Sequence, residues 1–129
     1  MSLFIEGTEL YIGDSKLTIG RSPRDSKIEA LYGNGIKVLL PVKDQYLSRI
    51  GEAGKNGSFS ISKVGEDYLL ERELNSTNPV SVRTGEHSQI LHSIEEGQTM
   101  KLDGTSLIKV AGSSTPFVFL LHQLKWPGF

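Results

Sequence analysis

The feature that most constrains this chain is the shortness of its apolar segments. They recur at 3–5, 10–12, 17–19, 36–42, 59–61, 68–70, 80–82, 100–102, 107–110 and 117–121, and each is closed off by Gly, Asn, Asp, Ser or Pro. Strand-length segments separated by frequent turns predict an all-β fold, and a sandwich in preference to a parallel sheet. The stretch IKVLLPV is the clearest case, with Ile36, Val38, Leu40 and Val42 assigned to one face and Lys37 to the other. Pro41 marks its end as an edge or a bulge, since proline gives no donor to a ladder. One brief helix is expected at 25–32, where Ile28, Leu31 and Tyr32 share a face at spacings of three and four. Gly33 and Gly35 stop it early.

A chain of 129 residues that is 37% hydrophobic is long enough to bury a core in one domain. That domain is assigned to 1–122, and 123–129 to a short tail whose Trp126 and Phe129 either cap the core or hang free. Fourteen Lys and Arg against fifteen Asp and Glu give a formal net charge of -1, so nucleic-acid binding is not expected. The absence of cysteine excludes disulfides, thiolate catalysis and cysteine-ligated zinc. The opening MSLFIEGTEL has an acid where a signal peptide needs basic residues, and no apolar run reaches membrane-spanning length. The expectation is a soluble, cytoplasmic protein with no membrane partner.

Catalysis has weak support. His87 and His92 are five apart, a spacing that puts them on opposite faces of a strand and does not match the zinc-binding H-E-x-x-H arrangement. Each histidine, His122 included, is read as a surface or loop residue. The stretch 51–58, GEAGKNGS, lacks the spacing of a phosphate-binding P-loop and reads as a flexible loop, with Asn56-Gly57-Ser58 and Asn75-Ser76-Thr77 as turn residues. There is no G-x-S-x-G elbow, EF-hand loop or close acid pair at a strand end. Binding is favoured over catalysis, and no cofactor is expected.

The stretch LTIGRSP, residues 17–23, carries the strongest chemical hint. A strand runs into Gly20, Arg21 and a proline turn, leaving Arg21 at a loop mouth as either a solvated charge or half of an oxyanion site. Two further strand-end loops, 43–52 (KDQYLSRIGE) and 73–86 (ELNSTNPVSVRTGE), are chemically related to the first. If they converge, Arg21 and Arg49 offer two guanidinium forks, Ser48 and Thr77 offer hydroxyls, and Asn78 offers a carboxamide for a peptide backbone.

The order Gly20-Arg21, then Leu47-Ser48-Arg49, then Ser76-Thr77-Asn78, then 94–104 (IEEGQTMKLDG) resembles the forkhead-associated (FHA) domain. Gln98 stands where that family usually has Asp. The resemblance covers about positions 20–104 and implies an FHA-like (SMAD/FHA) β-sandwich of about eleven strands whose loops at one end bind a phosphothreonine-containing protein or peptide. Carried over by position, Arg21 and Ser48 would contact the phosphate, Arg49 would support it or face the residues after the phosphothreonine, and Thr77 and Asn78 would hold the peptide main chain. A second register would set Asn56 and Phe59 at the positions of the family's S-R-x-H motif.

The sequence departs from that family at two places. Gly51 stands where the family has a histidine that braces the binding loops, and Pro79 follows Asn78 where a glycine is usual. Proline fixes its own φ, removes a donor and pushes Asn78 toward extended geometry, so a different turn is expected. Two other readings remain open: an FHA-like scaffold that binds partners independently of phosphate, and an OB-type nucleic-acid-binding barrel that stacks bases on Tyr46, Phe59 and Tyr68.

Overall fold

The fold is taken from a computed structural model, which describes residues 1–52, 55–84 and 91–120, with the backbone alone at 51, 52 and 55. His87, His122, Gly54 and the 123–129 tail lie outside the described residues. Among those described, every regular element is a strand and no helix forms. The strands are β1 Ser2–Ile5, β2 Thr8–Tyr11, β3 Leu17–Arg21, β4 Lys27–Tyr32, β5 Lys37–Lys43, β6 Ile50–Glu52, β7 Lys55–Asn56, β8 Phe59–Val64, β9 Asp67–Arg72, β10 Val80–Thr84, β11 His92–Ile94, β12 Thr99–Leu102, β13 Ser106–Val110 and β14 Phe117–Leu120.

Twelve of them make two antiparallel six-stranded sheets, ordered β11-β10-β13-β14-β1-β2 and β12-β9-β8-β3-β4-β5, and β6-β7 forms a separate hairpin. Alternate residues of both sheets turn into one shared core, as in a β-sandwich. Phe59 of β8 meets Phe117 of β14 edge-on at 5.3 Å, and Tyr68 of β9 lies 5.5 Å from Phe119 of β14, so aromatic rings join the two layers.

The expected apolar segments all carry strands, but three local expectations are corrected. Residues 25–32 do not form a helix: β4 pairs with β3 from Leu17↔Tyr32 to Arg21↔Ile28, burying Ile28 and Ala30 completely. A helix of eight residues is marginal alone, and here both flanking turns favour the strand. The Lys27 N–H donates to Asp25 Oδ1 at one end, and at the other the Gly35 N–H closes a turn onto the Tyr32 carbonyl. Ile36 is not on the inner face with Val38, Leu40 and Val42; it sits in that turn, 57% exposed. The 51–58 stretch is not simply a loop, because β6 and β7 pair within it. Pro41 does fall on an edge strand, β5, and His92 is exposed on β11.

No helix among the described residues is long and apolar enough to cross a membrane.

Candidate functional site

Gly20 sets the geometry at the end of β3. A Cβ there would stand 2.8 Å from the Ser48 carbonyl, 2.9 Å from Gly57 Cα and 3.1 Å from Ile50 Cβ, so only glycine admits the 43–52 loop and the β6-β7 hairpin against this strand. Gly57 is its counterpart. It adopts φ +88°, and a Cβ on it would lie 2.9 Å from the Ile19 carbonyl. The close approach lets the Arg21 N–H donate to the Ser48 carbonyl at 2.9 Å and forms a lone parallel bridge between Arg21 and Arg49. The glycine before Arg21 is therefore what brings the second loop to the arginine.

Ser48 is the hub of the crossing. Its N–H donates to Ser58 Oγ at 2.7 Å, and its own Oγ accepts from the Thr77 N–H at 2.8 Å, which ties the second loop to the third. Because the Ser48 oxygen is used as an acceptor, its hydroxyl proton remains to be donated. Asn78 adds a second tie, donating from Nδ2 to the Tyr46 carbonyl at 2.7 Å. Part of its carboxamide is thus spent within the protein.

The third loop is held from below. Arg72, at the end of β9, donates from Nε to Ser76 Oγ at 2.8 Å and from Nη2 to the Ser76 carbonyl at 3.1 Å. The 94–104 stretch braces it in turn: the Arg72 carbonyl accepts from the Gly97 N–H, its N–H donates to the Gln98 carbonyl, and Gln98 Oε1 closes the turn by accepting from the Glu95 N–H. Sequence reading overlooked both Arg72 and Ser58. A single arginine within a strand and a serine ten residues from its partner carry no local signal of such roles.

These ties leave a cavity of about 200 Å³ lined by Arg21, Gln45, Tyr46, Leu47, Ser48, Arg49, Thr77 and Asn78. All five residues singled out from the sequence meet here. In the alternative register neither Asn56, exposed on β7, nor Phe59, wholly buried in the core, reaches the cavity. No family model matches the chain, and no curated protein or solved structure matches it either.

The electrostatics are one-sided. Two guanidinium groups line the cavity, and no carboxylate is among its lining residues. Arg21 is half-buried, and its Nε is shut away from solvent with no hydrogen-bond partner. Leaving a buried donor unmatched costs about 1–3 kcal/mol, more when it belongs to a charged group, so the fold holds Arg21 in this position at a cost. Among the described residues no group of three His, Asp or Glu could hold a metal ion.

Two of the three aromatics considered for base stacking are not available. Phe59 is fully buried and Tyr68 is 6% exposed, leaving only Tyr46 at the surface. Stacking requires exposed ring faces, so that set of residues cannot form a base-binding platform.

Proposed function

We propose that this domain is a non-catalytic reader of phosphothreonine in the manner of an FHA domain. The observation that carries the reading is the carboxylate-free cavity in which Arg21 and Arg49 meet Ser48, Thr77 and Asn78. A phosphate dianion matches such a site, since it accepts from a guanidinium fork and from a hydroxyl at once. In this reading Arg21 holds the phosphate with Ser48 donating its free proton to a second oxygen, Arg49 adds charge at the rim, and Thr77 and Asn78 meet the peptide main chain. The partner is a phosphothreonine-containing protein or peptide, and no cofactor takes part.

Selection from a degenerate phosphothreonine library, followed by fluorescence anisotropy on the selected peptides, tests this. The phosphorylated peptides are expected to bind with their unphosphorylated counterparts at least about tenfold weaker, and Arg21→Ala should lose that margin. Equal affinity for both forms would overturn the reading in favour of a scaffold whose partner ignores phosphate.

A further inference from the structure

A second cavity, of about 530 Å³, opens beside the first on the outer face of the β3-β4-β5 sheet. The two follow each other along the Arg21-Arg49 bridge: those two residues line the first cavity, and the residues that follow them, Ser22 and Ile50, line the second. Its remaining walls include Pro23, Leu39 and Glu29. Glu29 pairs with Gly20 on one side and Leu39 on the other, so it stands on the outer face, where the absence of a side chain at Gly20 admits Ile50.

Glu29 is the unusual member. It is only 9% exposed, yet among the described residues its carboxylate has neither an ion pair within 4 Å nor a side-chain hydrogen bond. Arg24, Lys37 and a second acid, Asp25, also line the cavity; Asp25 Oδ1 accepts from the Lys27 N–H, and neither cation pairs with Glu29. The Glu29 oxygens are not among the side-chain atoms shut away from solvent without a partner, so the buried part is the stem and the carboxylate is left open to a cation. Pro23, Leu39 and Ile50 give the cavity an apolar side next to the unpaired Glu29 carboxylate, an arrangement that suits a side chain with an aliphatic stem and a cationic head.

We infer that this cavity is a subsite for a lysine or arginine side chain of the bound phosphopeptide, with Glu29 as its counter-charge. The inference rests on the phosphothreonine reading, because the phosphate in the first cavity is what brings the basic residue to the second. Recognition would then require two charges of opposite sign, an anion at Arg21 and a cation at Glu29. A peptide bearing an acid in place of the basic residue is disfavoured.

The test compares phosphothreonine peptides that carry Arg, Ala or Glu at each flanking position in turn, by calorimetry on wild type, Glu29→Gln and Leu39→Arg. Glu29→Gln keeps the shape of the side chain and removes its charge. Leu39→Arg, at a site already 51% exposed and directly opposite Glu29, supplies the cation from within the protein and fills the cavity. At one flanking position, wild type is expected to prefer Arg over Glu by about tenfold or more, and both variants should lose the preference while keeping phosphate dependence. Phosphate-dependent binding with no basic preference, or with a preference that survives in both variants, overturns the subsite and leaves the phosphothreonine reading standing. Binding that ignores phosphate overturns the reading, and this subsite with it.

Discussion

Tyr46 stands between two polar clusters that use similar side chains to opposite ends. On one side Asp44 is buried and its carboxylate is fully engaged: Oδ1 accepts from the Tyr46 N–H at 3.0 Å, and Oδ2 accepts from Thr115 Oγ1 at 2.8 Å and from the Ser113 hydroxyl. On the other side Ser48 and Asn78 pin two loops together, but Arg21 beside them keeps a buried nitrogen without a partner. The first cluster closes on itself and serves the fold. The second ties its loops together through Ser48 and Asn78 and leaves the Arg21 Nε without a partner in the protein. Burial alone does not separate a structural polar cluster from a binding one; the charge left unmatched does.

If that distinction holds, substitutions in the two clusters should divide between stability and binding. Asp44→Ala strands three donors that converged on one buried carboxylate, and it should cost about 2–3 kcal/mol in urea denaturation. A loss below about 0.5 kcal/mol would erase the contrast from the structural side. Gly20→Ala drives a Cβ to 2.8 Å from the Ser48 carbonyl and should cost about 1–3 kcal/mol, with the Arg21 and Ser48 amide resonances shifted as the loop is pushed away. Arg72→Ala removes both bonds to Ser76 and should cost about 1–2 kcal/mol, and Arg72→Lys should recover only part because lysine lacks the fork that reaches Oγ and the carbonyl together. Arg21→Ala should change stability least, by about 0.5 kcal/mol or less in either direction, because it removes a group that the native state leaves unsatisfied.

Much of this was legible in the sequence because it is local. A strand such as 59–61 is marked by its own alternation, and the end of β3 by Gly20 and the proline turn that follows it. The convergence of Arg21, Ser48, Arg49, Thr77 and Asn78 came from motif order, which reports where loops meet only through resemblance. What escaped was decided by pairing across the chain. Residues 25–32 carry a short helical spacing, and nothing within them reveals that β3 and β5 will flank them as ladders. Glu29 reads as an ordinary surface acid until Gly20 opposite it is known to admit Ile50. Arg72 and Ser58 likewise acquire their roles from partners that sequence spacing does not announce.

The central claim is that the unmatched charge at Arg21 is the phosphate site. Heteronuclear NMR titration of a phosphothreonine peptide, beside its phosphoserine and unphosphorylated forms, into wild type and Arg21→Ala tests it most directly. Phosphate-dependent shifts are expected at residues 20–22, 47–49 and 77–78, absent in a variant that is otherwise folded as the wild type. No shifts at those residues at millimolar peptide, or the same shifts in Arg21→Ala, would contradict the account.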